Sequence, residues 1–412
     1  MKALVLVSRC IPAPMANEIC ISKILSSRGD ICSTYICRVE DKDLLKTSSN
    51  DPTVGGKVVP FYLKGKRKIA QRGVWGKIIY LVERLIEVLF GPVFDKKMAN
   101  CFCKTAEDLI EKEMPDVIAS VLQPPAAVEA GYRLKKKHPN IKFLLYDLDT
   151  ISDASLGHFE KLLYPLYSRK VLRWEKKVYD AFDLIVHLDS HEQHFHKKQY
   201  GPFLPKTLFQ GVPLLEIQKE QEGSTLRDEP RLIYAGRFYP SLREPRCLLD
   251  VMALAHKKSA GRFSIDVYTD GEYVRQISQQ YSINDGVYAH NYIPQKEINL
   301  KTEEADVLVS LGNNGTNMFP SKIVTYVASM KPIIHVYQAK DDPVIPYLQH
   351  YPNVLLLDAK EDIEKNAEAI NQFLSKRHTP IHRDVLEERY KRNLPSHAAA
   401  EILQHLKQEG HD

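Results

Sequence analysis

No run of apolar residues in this chain approaches the roughly 18 that a membrane-spanning helix needs, so nothing in it reads as a membrane span. The first apolar run, Ala3 to Val7, has the length of a strand and falls short of a secretory leader. Paired cysteines are also lacking. The seven present are an odd number, scattered at 10, 20, 32, 37, 101, 103 and 247, with no CxxC and none beside histidine at zinc-finger spacing. Reduced thiols and a cytoplasmic location are the expectation. Charge of one sign is scarce: 57 Lys+Arg stand against 52 Asp+Glu, a net of +5 over 412 residues, and no nucleic-acid-binding signature accompanies it. The segment HEQHF is not a zinc motif, because Phe195 stands four residues after His191 where that motif needs histidine. The oligomeric state is left open.

What is present is alternation of strands and helices along the whole chain. Lys2 to Val7, Ile31 to Cys37, Val58 to Phe61, Asp116 to Val121, Lys142 to Tyr146, Asp183 to Leu188 and Thr207 to Gln210 read as strands, most of them followed by helical stretches. The charged, turn-rich segment 215–230 is the best boundary in the chain. Arg231 then opens a second series of strands, with Gly236 and Arg237 at the end of its first. Asp41 to Gly56 reads as a loop.

The most informative stretch is 306–337. Val307 to Leu311 is a strand and Gly312 to Gly315 a turn-rich loop. Pro320 and Ser321 open a helix that Pro332 stops, and Ile333 to Tyr337 returns as a strand. Ile323, Tyr326, Val327 and Met330 make the buried face, while Lys322, Thr325 and Ser329 share a neighbouring one. A helix start with a lysine in its first turn suits an anion such as a phosphate or diphosphate. An ordinary βαβ connection with a solvated lysine accounts for the same spacing. Farther back, Asp147, Asp149, Asp153 and His158 follow the strand that ends at Tyr146. There carboxylates either orient sugar hydroxyls and move a proton or cap the next helix.

The segment SKIVTYVASMKPII, residues 321–334, resembles the Ser-Lys-x-x-Glu-Tyr-x-x-x-Gly-Lys-Pro-Ile-Ile signature of GT-B nucleotide-sugar glycosyltransferases, most closely family 4. Ser321, Lys322, Tyr326, Lys331, Pro332, Ile333 and Ile334 match. Thr325 stands where the ribose-binding Glu is expected, and Met330 where Gly is expected. The resemblance implies an α/β protein of two Rossmann-like domains facing across a cleft, with a C-terminal helix crossing back to the first. It divides the chain into an acceptor domain, 1–214, a linker, 215–230, a nucleotide-sugar donor domain, 231–385, and a C-terminal segment, 386–412. It assigns the donor diphosphate to Arg237, Arg243, Ser321 and Lys322, although Leu242 occupies the place of the family's second basic residue and Arg243 follows it. It assigns the nucleoside to Tyr292, Ile293 and Thr325, and the donor sugar to Asn317, Met318 and Phe319. Asp149, with Asp147 beside it, is expected to touch the reacting sugar.

The function implied is transfer of a sugar from a UDP- or GDP-linked donor to a saccharide or lipid-linked acceptor. Retention of configuration, no metal and no cofactor, and a place in bacterial surface-polysaccharide synthesis go with it. A nucleotide-sugar 2-epimerase and a non-catalytic glycosyltransferase-like partner subunit are the rivals. Between residues 64 and 90 a basic run (Lys64, Lys66, Arg67, Lys68, Arg72, Lys77) precedes an apolar amphipathic stretch, the pattern of a helix lying on an anionic inner leaflet. A core helix after a solvated basic loop is the other reading of that stretch. Each basic residue near such a surface contributes about 1 kcal/mol. Replacing Lys64, Lys66, Arg67 and Lys68 by glutamine is therefore expected to release the protein from anionic vesicles in a flotation assay; unchanged binding would remove the membrane expectation.

Overall fold

Apolar strands such as KALVL and VLVSL can be satisfied only where both faces of a sheet are covered, and the chain builds two sheets of that kind. The computed structural model describes residues 1–10, 14–46, 50–51, 54–64, 79, 82, 91–148, 164–217, 226–239, 242–314 and 319–408. Asp149, Asn317 and Met318 lie outside these residues, as does the 64–90 stretch apart from Lys64, Ile79 and Val82.

Two compact units result. One comprises Met1–Pro213 together with Arg392–Asp412, the other Leu214–Lys391. The first holds strands β1 (Lys2–Leu6), β2 (Cys32–Val39), β3 (Asn50–Asp51), β4 (Gly56–Tyr62), β5 (Val117–Val121), β6 (Lys142–Tyr146), β7 (Leu184–Leu188) and β8 (Thr207–Gln210), in the order β3-β4-β2-β1-β5-β6-β7-β8. All pairings are parallel except β3 with β4. The loop expected over 41–56 thus contains a two-residue edge strand, too short and polar to leave an alternating pattern. The second unit holds β9 (Arg231–Ala235), β10 (Ser264–Thr269), β11 (Val287–Asn291), β12 (Val307–Leu311), β13 (Ile333–Tyr337) and β14 (Val354–Asp358), all parallel, in the order β11-β10-β9-β12-β13-β14. This is the doubly wound Rossmann order, and its direction reverses between β9 and β12.

Each sheet has its own core. Helices Lys96–Glu113 and Pro125–Lys137 bury Phe102, Leu109, Val128 and Leu134 with Leu6, Ile118 and Phe143 in the first unit. The start of Lys96–Glu113 is fixed by Asp95, whose carboxylate accepts from the N–H groups of Lys97 and Met98. In the second unit helices Arg246–Lys258 and Ile363–Ser375 bury Leu248, Met252, Ile370 and Phe373 against Leu232, Val309 and Ile334.

The helix expected to run to Pro332 is shorter. It spans Lys322–Ala328, and Met330 turns the chain with φ 58°. Glycine enters that left-handed region freely, which accounts for the glycine in the signature. Methionine there costs about 1–2 kcal/mol. Its side chain is buried, and burial contributes an offsetting gain of about 1.5–3 kcal/mol. Lys331 beside it donates its ammonium to the carbonyls of Thr302, Glu303 and Ala305, closing the end of helix Gln295–Glu304.

The C-terminal residues are tied to the end of β8. Arg392 Nη2 donates to Phe209 O at 2.6 Å, Asn393 Nδ2 to Val212 O at 3.0 Å, and Gln210 Nε2 to Ala398 O at 3.0 Å. Gly211 permits the approach, since a Cβ there would meet Asn393 Nδ2 at 2.6 Å and Arg392 O at 2.8 Å. Gly211→Ala is expected to destabilise the first unit by about 1–3 kcal/mol, read as a lower urea midpoint at unchanged slope; wild-type stability would show that the C-terminal segment yields freely.

Candidate functional site

The reversal of strand order in the second sheet brings the loops after β9 and β12 side by side, the place where doubly wound sheets bind ligands. The chain leaves β9 through Gly236 and Arg237, and a bridge between Tyr239 and Arg243 folds it back. That reversal aims Arg243 at the other loop. Its Nε and Nη2 donate to Asn313 Oδ1 at 3.1 and 2.6 Å, and its Nη1 to Arg237 O at 3.3 Å. Arg243, one residue after the family's basic position, thus lies against the loop that follows β12. Leu242, at the family's basic position, contributes its carbonyl, which accepts from Asn314 N at 2.7 Å.

Lys322 arrives from the start of its helix. Its Nζ lies 4.5 Å from the centre of the Tyr234 ring and 3.4 Å from Ala235 O. Gly236 makes room, since a Cβ there would stand 3.2 Å from that ammonium. Among the described residues no carboxylate forms an ion pair with Lys322 or Arg243. Arg237 has one, Asp270, at 3.6 Å, and its guanidinium also lies over the Tyr292 ring.

One buried amide holds the two loops together. Gln338 Nε2 donates to Gly312 O at 2.7 Å and to Leu242 O at 3.2 Å. Asn313 and Gln338 were not among the residues expected from the sequence. Asparagine in a turn and glutamine after a strand are common, and only the fold brings them to Arg243 and Leu242. Gly312 is equally constrained, because a Cβ there would fall 1.9 Å from Asp342 Oδ2.

Of the expected site residues, Arg237, Arg243 and Lys322 converge, and Tyr292 joins them through Arg237. Ser321 immediately precedes the helix and its side chain makes no capping hydrogen bond. Ile293 follows Tyr292 and is half-buried. Thr325 is exposed, its hydroxyl donating to Lys322 O at 2.8 Å. Phe319 packs edge-on against Tyr347 at 4.9 Å.

In the first unit Asp147 is buried at the end of β6. Its Oδ2 accepts from the Tyr179 hydroxyl at 2.7 Å and lies 3.5 Å from His187 Nε2. The equivalent mouth of that sheet, between β1 and β5, is closed from within. Glu18, 1% exposed at the start of helix Ala16–Ser26, accepts from Ser8 N at 3.0 Å. Burial raises its pKa. A side-chain carboxylate therefore occupies the anion position in the first unit, whereas cations face it in the second.

No family model matches the chain, and no curated protein matches by sequence. Solved structures do. A structure described as trehalose-6-phosphate from E. coli bound with UDP-2-fluoro glucose is 12% identical, with a TM-score of 0.60 and 99% of each chain covered. The lipopolysaccharide outer core galactosyltransferase WaaB is 11% identical, with a TM-score of 0.55, 99% of this chain and 100% of that one covered. UDP-GlcNAc 2-epimerase from Neisseria meningitidis bound to UDP-GlcNAc is 12% identical, with a TM-score of 0.53 over 99% and 100%. The fold is that of the GT-B glycosyltransferases. In this GT-B chain, no group of three or more His, Cys, Asp or Glu among the described residues is gathered as for a metal ion. No helix among them is long and apolar enough to cross a membrane.

The electrostatics of this cluster centre on Lys322. Enclosure, with Arg243 as a smaller contribution, lowers its pKa from 10.5 to about 7. Between pH 7 and the unfolded value the unfolded chain binds more protons at this group than the folded one, so its contribution to stability rises with pH over that range. The difference in unfolding free energy between wild type and Lys322→Met should therefore move in favour of wild type from pH 7 to pH 9. Urea unfolding at both pH values checks this, and a pH-independent difference would place the amine in water.

Proposed function

We propose that the chain is a glycosyltransferase whose second unit grips the diphosphate of a nucleotide-sugar donor. The observation that carries this reading is the pair of cations, Lys322 and Arg243, held at the switch point of the second sheet with no carboxylate paired to either among the described residues. Two like charges brought together at a site that lowers the pKa of one are stabilised by a dianion placed between them. As the bond to the sugar breaks, negative charge builds on the departing diphosphate. Lys322, Arg243 and Arg237 neutralise that charge without reorganising. Tyr292 and Ile293 pack on the base, and the loop through Asn317, Met318 and Phe319 faces the donor sugar. Asp149 is the residue assigned to meet the reacting sugar, with Asp147, whose carboxylate accepts from Tyr179, two positions before it. The first unit takes a saccharide or lipid-linked acceptor, and transfer proceeds without metal and with retention. Half-exposed Ile79 and Val82 agree with an apolar face lying on a membrane surface, where a lipid-linked acceptor of surface polysaccharide would be met.

A nucleotide-sugar 2-epimerase is the second reading, favoured by the solved epimerase that shares the fold. Both readings need the donor site and differ in product.

The deciding experiment is thermal unfolding in the presence of UDP, GDP and their sugar conjugates. A ligand at one hundred times its dissociation constant adds about 2.7 kcal/mol. One nucleotide series is expected to raise the melting temperature, and Lys322→Ala to abolish the rise. Thr325→Glu is expected to enlarge it, because a carboxylate at that exposed position bonds the ribose hydroxyls. Absence of any shift across both series would overturn the donor site. Conversion of a bound nucleotide-sugar to its epimer without acceptor would replace transfer by epimerisation.

A further inference from the structure

The second sheet has a feature that parallel sheets seldom show. Strands β10 and β11 alternate: Ile265, Val267 and Val287 are buried on one face, while Ser264, Asp266, Tyr288 and His290 point to the other. A doubly wound sheet normally covers both faces with helices and carries apolar side chains on both. Here one face of β10 and β11 is polar and, together with Arg231 and Ile233 of β9, bounds a cavity of about 410 Å³ beside helix Gln295–Glu304. That volume lies within the range of small-ligand sites, roughly 300–1,000 Å³. The Gly236–Asn313 site opens at the C-terminal ends of β9 and β12, whereas the cavity is lined from the first residues of β9 and β10 onward.

The lining is organised. His290 Nε2 bonds Asp266 Oδ1 at 2.6 Å, and the imidazole is stacked on the Tyr268 ring at 4.6 Å and 20°. Tyr288 stands level with Asp266 on the neighbouring strand and is 37% exposed, its ring forming an open wall. On the helix side Lys301 Nζ bonds Glu304 Oε2 at 2.8 Å, and Arg231 lies close enough to Glu304 to lower its pKa. Two carboxylates and two basic side chains therefore cancel.

This balance selects a ligand class. An anion would meet Asp266 and Glu304, and a cation would meet Arg231 and Lys301. An apolar molecule would strand all four from water. A neutral ligand with neighbouring hydroxyls can donate to the carboxylates, accept from the guanidinium and ammonium, and lay a C–H face on an aromatic ring. We infer that this cavity is a second binding site, separate from the donor site, for a neutral saccharide. The inference does not depend on the donor reading, since none of its residues touches Lys322 or Arg243.

The test is calorimetric titration of the full chain with three neutral trisaccharides, maltotriose, cellotriose and laminaritriose, at millimolar concentration. At least one is expected to bind. Tyr288→Ala and Asp266→Asn should each weaken binding about tenfold or more, the loss of one good contact at 1.4 kcal/mol per decade. Lys322→Ala should leave it unchanged. Tyr288 is exposed, so its truncation spares the core and decides the matter even if Asp266→Asn unfolds. Binding of none of the three, wild-type affinity in Tyr288→Ala, or loss of binding in Lys322→Ala would each overturn the inference. So would a dimer by light scattering that Tyr288→Ala dissociates, which would make this face a contact between two copies.

Discussion

Two cations lie near each other at the mouth of the second sheet, Lys322 and Arg243, and the surrounding structure is arranged to keep them there. Their repulsion is not offset by a carboxylate among the described residues. It is eased by the Tyr234 ring under the ammonium, the Ala235 carbonyl beside it, and Asn313 across the guanidinium. The first unit shows the opposite solution on the same architecture, with Glu18 filling the corresponding mouth. One chain thus carries two similar sheets with opposite electrostatic preparation. Only the second is prepared for an anion from outside.

The price of that preparation is rigidity in the surrounding loops. Gln338 bonds a carbonyl from each loop, Asn314 bonds back to Leu242, and glycine stands wherever a Cβ would intrude. Polar side chains buried this way specify one loop conformation, because each alternative leaves a carbonyl or an amide without a partner. The same logic appears at Lys331, whose ammonium closes a helix end, so the signature's second lysine is structural here. Met330 shows the tolerance of the design: a residue other than glycine takes the left-handed turn because its side chain is buried.

The polar face of β10 and β11 departs from the rest of the molecule. Central strands such as β1, β5, β7 and β12 meet the demand of a doubly wound sheet for buried residues on both sides. In SIDVYT and VYAHN the demand is relaxed on one side, and the side chains found there are paired into a neutral, aromatic-walled surface. A sheet face that was merely left uncovered would not need its charges balanced and its histidine stacked.

Strand and helix order was largely readable in the chain, because it rests on local physics: apolar runs and turn residues. The duplicated α/β plan followed from alternation alone. The signature named Lys322, and Gly236-Arg237 was legible as the end of a strand. Tertiary structure decided the rest. Arg243 reaches the site through a bridge that reverses its loop, and Asn313 and Gln338 become site residues only when β9, β12 and β13 lie side by side. Asp147 reads in sequence as a sugar-orienting or helix-capping carboxylate, and only packing shows it buried against Tyr179. Only the return of the β1 loop shows Glu18 buried and accepting from Ser8 N. Residue type and spacing encode which elements form. Which charge meets which partner depends on contacts between residues tens to hundreds of positions apart, and strand order alone creates those contacts.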